Sequence, residues 1–473
     1  MKKYLLGAFI VSLAAFILYI YKLQIGFSFH PDFARDLHEV LRISQGDITL
    51  LGPKLTFGGI YSGPYYFYLF VPAFIVSSYN IYSLHVFSAL LFALGVGYFF
   101  IKTADKYGQV NSFLASLTIL ILPWYVIGAR NPSNAFTFLP LLLFLLTYIF
   151  YNKPKSIRAL TLLGLLLGII INFHFINVIL VIPLLLYFWQ YLKNKKVLFL
   201  FLIGIGLAFT PLILFELRHD FIMFKNTFVQ QSYLSWTENK NIPGGVSGKK
   251  NVIANIFFMS EHIRSLIGIN PLIMYAVLGM ILYFKKVKKE DWILFSMGLL
   301  TLVSFASIIR FQFIFHYLYS TALMLSFIAI YLVLRNRLSG ILIILIIFAL
   351  TFFPQYIYQP RDRKHEPFEK AVEYVVSHNL LKKDANFNVI QITKERILAT
   401  IGFEYRYFLR KEGYVPRTEF EYNDSQELII FSEMPDLDLA AYTSWEAEQF
   451  GKQHFKNAHK YQAGTITIYK ITK

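Results

Sequence analysis

Phe29-His30-Pro31-Asp32-Phe33-Ala34-Arg35-Asp36-Leu37-His38-Glu39 packs three acids, one arginine and two histidines into eleven residues, just behind an apolar run that ends near Tyr21. It opens like a helix, with Pro31 suited to the first turn and Asp32 read as the N-cap. Phe33, Leu37, Val40, Leu41 and Ser44 then share one helical face, and Asp32, Arg35, Asp36 and Glu39 the other. Gln45-Gly46 ends the run. Asp32 and Asp36, at i and i+4, repel unless a cation or proton lies between them, and Arg35 is the local partner. The pattern predicts an amphipathic helix over 32–45, lying on the outer leaflet of a membrane with its acidic face, Glu39 included, turned to solvent. A capped, solvated surface helix has the same pattern.

Composition supplies the membrane. The chain of 473 residues is 56% hydrophobic and 15% charged, with 48 Phe and 32 Tyr; soluble domains carry about 25% charged residues. Apolar runs recur, as in Leu139 to Phe150 and Ile341 to Phe353. The fold class is an α-helical polytopic membrane protein. The net charge of +17 reads as basic cytoplasmic loops, and nucleic acid is not expected as a partner. The absence of Cys excludes thiol chemistry and Cys-ligated metal. No P-loop, GxSxG or dinucleotide fingerprint stands out, so no cofactor is expected; with no HExxH or similar spacing, His174 and His316 as metal ligands are the minority reading and metal dependence stays open.

Candidate spans are 4–22, 80–101, 112–129, 134–151, 158–173, 175–192, 197–217, 270–285, 291–309, 313–334 and 338–355, eleven in all. The first reads as an uncleaved span rather than a removed signal peptide. Lysines and arginines cluster at Lys2/Lys3, Lys102/Lys106, Lys153/Lys155/Arg158, Lys193/Lys195/Lys196, Lys285 to Lys289 and Arg335/Arg337, all on one side of that span order. The positive-inside rule makes that side cytoplasmic. The N-terminus is then inside, and the loops 23–79 and 218–269 and the tail are outside. Tyr65 to Val76, short and interrupted by Pro72, reads as interfacial or re-entrant. The domain reading is a membrane core over 1–355 and a small extracytoplasmic α/β domain over 356–473. In that tail, helices are expected over 367–379 and 394–411, and strands over Phe387 to Thr393, Glu427 to Ser432 and Thr465 to Ile471.

A few cations break the charge rule by falling at outer ends of spans: Arg130, His174, Arg218/His219, Arg264, Arg310 and His316. Ionisable groups near membrane depth are costly and usually paired or functional. As a set they fit a pocket for an anionic headgroup, phosphate above all, because arginine matches it bidentately; each alone also fits snorkelling to lipid phosphates. Leu51-Gly52-Pro53-Lys54 to Gly58-Gly59-Ile60-Tyr61-Ser62-Gly63-Pro64-Tyr65-Tyr66 reads as an ordered, turn-rich loop. Its tyrosines, Tyr61 among them, suit a sugar or prenyl site, or an interfacial belt. Asn239 to Lys250 reads as a flexible outer loop.

Pro31-Asp32-Phe33-Ala34-Arg35-Asp36, then Leu51-Gly52-Pro53, Gly59-Ile60-Tyr61-Ser62-Gly63-Pro64-Tyr65-Tyr66 and Phe215-Glu216-Leu217-Arg218-His219, resemble the GT-C membrane glycosyltransferases, family 39 in particular. That family holds the dolichyl-phosphate-mannose protein mannosyltransferases and the aminoarabinose transferases. The resemblance covers about 1–355. It implies a transferase taking a sugar from a polyprenyl-phosphate carrier on the outer leaflet and passing it to a protein, lipid or glycan acceptor. It implies Asp32 as the base. Where many members carry Asp-Glu, this chain has Asp32-Phe33, and Asp36 is the stand-in for the second acid. Where members carry Gly-Lys-Pro-Pro, this chain has Ser62-Gly63-Pro64-Tyr65, and Lys54 is the candidate replacement for the lysine. The acid often found near the span starting at 134 is Asn134 here. On this reading Arg35 organises Asp32, Arg218, Arg264 and Arg310 contact phosphate, and His174 and His316 line the site.

Overall fold

The computed structural model describes residues 2–55, 59–152, 156–192, 195–230, 245–247, 251–284, 288–308, 312–334, 358–393, 400–435 and 437–473. The chain is mostly helical and divides into two compact units. One comprises Met1–Leu23, Thr49–Ala73 and Tyr82–Ile357; the other Gln24–Ile48, Phe74–Ile81 and Tyr358–Lys473.

The first unit is built of apolar helices. Among the described residues, two are long and apolar enough to cross a membrane, Ser83–Tyr107 and Lys289–Ser307, and five spans result if each of three bent pairs is one span. Six shorter apolar helices accompany them, and the chain is a multi-pass membrane protein. The expected span 112–129 is the first bent pair, Gln109–Ile121 and Pro123–Arg130, which meet at 62°. Leu122 precedes a proline, is thereby excluded from the helical region and sits extended at ψ 126. The span 197–217 breaks by 60° ahead of Pro211. The third pair turns by 87° between Val252–Ile267 and Pro271–Phe284, through Gly268 at φ +78. Val252–Ile267 lies in a stretch read as loop. The span 338–355, Arg310, and 239–244 and 248–250 of the outer loop lie outside the described residues, while Gly245–Ser247 (β1) pairs antiparallel with Gln312–Ile314 (β2).

Helices Ile157–Phe173 and Lys195–Ala208 touch backbone to backbone. A Cβ on Gly164 would stand 2.2 Å from the Phe201 carbonyl oxygen, and one on Gly204 2.2 Å from that of Thr161. Lipid gives apolar helices no hydrophobic reason to associate, so close packing through small residues carries the contact.

The second unit holds a four-stranded sheet in the order β3-β4-β6-β5. Phe387–Ile392 (β3) and Glu427–Ser432 (β4) are parallel, joined through the helix Phe403–Lys411, and β4 and His459–Ala463 (β5) flank Ile466–Thr472 (β6) antiparallel. Every residue of β3 is buried, as for a strand covered on both faces. One face packs Ile390, Ile392, Leu428, Ile430 and Ile471 with Phe450 and Phe455. On the other, Tyr405 stacks on Phe431 at 3.9 Å between ring centroids. The three expected strands form. β5 escaped notice because it is an exposed, charged edge, the usual guard against edge pairing. The expected helix 394–411 is Phe403–Lys411 in the structure, with 394–399 outside the described residues.

The structure groups Gln24–Ile48 with the tail rather than with the membrane helices. The helix Pro31–Ser44 packs on Phe403–Lys411, which in turn packs on Glu366–Ser377.

Candidate active site

The acidic stretch folds as a helix over Pro31–Ser44, ended by Gln45 and by Gly46 at φ +102. Two sequence readings need correction. His30, not Asp32, is the N-cap: its side chain accepts the Phe33 N–H at 3.2 Å, and Asp32 sits in the first turn. Nor is the polar face turned outward. Asp36 is 1% exposed, Leu37, Val40 and Ala34 are wholly buried, and His38 is buried beside Phe403, their rings 6.0 Å apart. Phe403–Lys411 covers a face that a lone leaflet helix would have left in water.

Within this helix the acids separate by environment. Asp32 is open to solvent, its side chain 75% exposed, and it accepts one bond from Arg35 Nη1 at 2.9 Å. Arg35 also donates from Nε and Nη2 to one oxygen of Asp36, at 3.0 and 2.7 Å. Arg35 thus bridges the two carboxylates, as their i, i+4 repulsion requires. The helix N-terminus adds its own partial positive charge beside Asp32. Asp36 is buried away from solvent and meets Asp32 through Arg35. Glu39, expected to face solvent, is largely covered. Burial pushes its pKa up, but His38 and Arg42 outweigh that and hold the carboxyl below its usual range. Burial holds the His38 imidazole below its usual pKa, with Glu39 opposing.

In the first unit the described parts of the turn-rich loop, 51–55 and 59–64, form a tight antiparallel pairing. Gly52 N–H donates to the Ser62 carbonyl at 2.8 Å, Ser62 N–H to that of Pro53 at 3.0 Å, and Lys54 and Tyr61 face each other across the bridge. Gly63 N–H donates to the Asn172 carbonyl at 3.0 Å, and a Cβ on Gly63 would stand 2.3 Å from Asn172 Oδ1. Only glycine fits there. Lys54 is exposed and Tyr61 half-buried.

The structure brings His174 and His316 together, ring centroids 5.5 Å apart, with Tyr317 4.9 Å from each. His174 sits at the joint between Ile157–Phe173 and the 3-10 turn Phe175–Leu180. Asn172 Oδ1, His174 Nδ1 and Asn177 Oδ1 are buried at this joint and have no hydrogen-bond partner among the described residues. Buried polar atoms are nearly always satisfied, so such a group marks where water or ligand hydroxyls fit. Asn134 donates to the Phe173 carbonyl at 3.1 Å and so braces the same joint.

The expected cations differ. Arg130 is buried, and its Nη1 donates at 2.7 Å to both the Tyr19 and Tyr21 carbonyls, which caps the C-terminal end of Leu5–Ile20. That geometry is a helix cap. Arg264 pairs with Glu261 at 2.6 Å one turn away. Arg218 is exposed, while the neighbouring Glu216 accepts the Met223 and Phe224 N–H groups at 2.9 and 2.8 Å. Among the described residues no cluster of three or more His, Asp or Glu side chains is placed to hold a metal.

No family model and no curated protein matches the chain. Solved structures do. ArnT from Cupriavidus metallidurans bound to undecaprenyl phosphate superposes with a TM-score of 0.60 at 11% identity, over 98% of each chain. The apo state of that protein gives 0.58 at 10% identity, over 98% of this chain and 97% of that one. The arabinofuranosyltransferase AftD from Mycobacteria gives 0.52 at 12% identity, over all of this chain but only 40% of that one. From one end to the other, then, the chain has the fold of the GT-C membrane glycosyltransferases.

Proposed function

We propose that this protein is a glycosyltransferase that moves a sugar from a polyprenyl-phosphate donor to an acceptor at the outer face of the membrane, with Asp32 as general base. The observation that carries the reading is the solvent-open Asp32 carboxylate at a helix N-terminus, fixed on one side by Arg35. The fold supports it, as does the undecaprenyl phosphate bound by the ArnT neighbour. The lysine-rich loops support a cytoplasmic N-terminus and an extracytoplasmic tail.

The chemistry follows from the residue types. Asp32 takes the proton of the acceptor hydroxyl while its oxygen attacks the anomeric carbon. The bond from that carbon to the phosphate oxygen breaks, and polyprenyl phosphate leaves with the electron pair. Cations facing the phosphate stabilise the charge that grows on the leaving group. One base and one displacement invert the anomeric centre, by the logic that governs glycosidases. The carrier is already activated, so no nucleotide is needed outside. The acceptor is a protein, lipid or glycan hydroxyl.

A lipid-linked-sugar flippase is the second reading, and the three bent helix pairs are the observation that favours it. Purified protein incubated with a panel of polyprenyl-phosphate sugars and hydroxyl acceptors decides between them. A transferase releases free polyprenyl phosphate, and Asp32→Asn lowers that release by at least about 1,000-fold while leaving expression and membrane insertion intact. Normal release by Asp32→Asn removes Asp32 from the mechanism. Lipid movement across a bilayer without release supports the flippase.

A further inference from the structure

The tail grips the segment that carries Asp32 at both ends. Ahead of the helix, the Lys364 ammonium donates to three carbonyls, those of Gln24, Ile25 and Phe27, at 3.0, 2.7 and 3.2 Å. An ammonium has three N–H donors, so all are engaged on this one stretch. The Phe29 N–H donates to the Arg363 carbonyl at 2.8 Å, and the Arg361 N–H to that of Ile25 at 3.3 Å. This strap is itself pinned. The Arg363 guanidinium donates to Glu404 at 2.7 Å and to Glu433 at 3.1 Å, and lies 4.8 Å from the centre of the Phe368 ring. Behind the helix, Arg410 donates to Gln45 Oε1 at 2.7 Å and pairs with Asp47. Between the two ends, the buried face of Pro31–Ser44 rests on the helix from which Arg410 projects.

Such a double grip does more than hold a surface helix to a domain. Its side-chain contacts are charge-assisted, from Lys364 to main-chain carbonyls ahead of the helix and from Arg410 to the Gln45 and Asp47 side chains behind it, and anchoring both ends fixes the position and tilt of an element. We infer that the tail is the positioning device for the base: Lys364 and Arg410 are positioning residues that set where the Asp32 carboxylate stands. The inference rests on the proposed role of Asp32. It assigns these cations no contact with substrate.

The absence of cysteine from the 473-residue sequence makes one test clean. A nitroxide attached through Asp32→Cys reports the mobility of that position by electron paramagnetic resonance, with Glu448→Cys, an exposed site elsewhere in the tail, as control. Lys364→Met and Arg410→Gln are expected to sharpen the spectrum at position 32 and leave that at 448 unchanged. In transfer assays with the polyprenyl-phosphate sugar panel, Lys364→Met is expected to lower kcat per folded enzyme about tenfold, with KM for donor unchanged, as misplacement of a catalytic group does. Lys364→Arg restores most of the rate. An unchanged spectrum at position 32 overturns the inference, and so does a loss of rate that disappears when normalised to folded protein. Full activity in Asp32→Asn instead overturns the reading of Asp32 itself, and the label spectra still decide whether the tail fixes the helix.

Discussion

Arg35 is the residue on which the two acids depend. It binds exposed Asp32 with one nitrogen and buried Asp36 with two. Asp36→Asn keeps the shape and an acceptor oxygen but removes the charge that holds the guanidinium. A charge-assisted bond is worth about 1.5–3 kcal/mol, so the variant is expected to lose stability of that order in a urea titration. Its transfer rate is expected to fall about tenfold rather than to vanish, because Asp32 survives but is less well placed. Abolished transfer in Asp36→Asn, with the fold intact, makes Asp36 a second catalytic acid instead. The sequence showed that these three side chains belong together, because i, i+3 and i, i+4 spacing is local. It did not show which carboxylate faces solvent. That depends on Phe403–Lys411, more than 350 residues further on.

At the scale of the element, the Pro31–Ser44 helix carries a titration of its own. His38 is buried, and burial holds its folded pKa below the ordinary value of about 6.5. A depressed pKa means that the unfolded chain binds the proton more tightly. The stability this gives is present above about pH 6.5 and is lost as pH falls towards the folded value. Thermal unfolding of the tail unit is therefore expected to come at lower temperature at pH 5 than at pH 7.5, with a smaller drop in His38→Gln. An equal drop in both proteins removes His38 as the source. The start and end of this helix were legible in Pro31 and in Gln45-Gly46; its burial was not, because an amphipathic pattern names a greasy face but not what covers it. The same limit explains the membrane unit. Apolar runs located the helices, yet the bends at Pro123 and Pro211 passed unread inside runs counted as straight spans, and the helix ahead of the Gly268 bend passed unread in a stretch counted as loop. Gly164 and Gly168, spaced four apart, were a legible sign of the close helix pair that forms there. His174 and His316 lie 142 positions apart, and only the fold shows that their rings meet.

At the scale of the whole molecule, the tail unit is discontinuous: it takes in Gln24–Ile48 as well as Tyr358–Lys473. Phe33, Leu37, Val40 and Leu41 are all buried in it. Each such side chain is worth about 1.5–3 kcal/mol, against a total domain stability of about 5–15 kcal/mol. A fragment of residues 358–473 alone is expected to unfold at much lower urea than the same fragment with 24–48 fused to its N-terminus, followed by circular dichroism. Equal midpoints contradict the packing described here. The discontinuity also has a consequence in time. Between Ile48 and Tyr358 the ribosome adds about 310 residues, which at about 5–20 residues per second takes roughly 15–60 s. Throughout that interval the Asp32 segment has been made but the surface that seats it has not. Completion of the chain is thus the event that seats the Asp32 segment, and a nascent chain shorter than about 358 residues carries that segment without the surface that covers it.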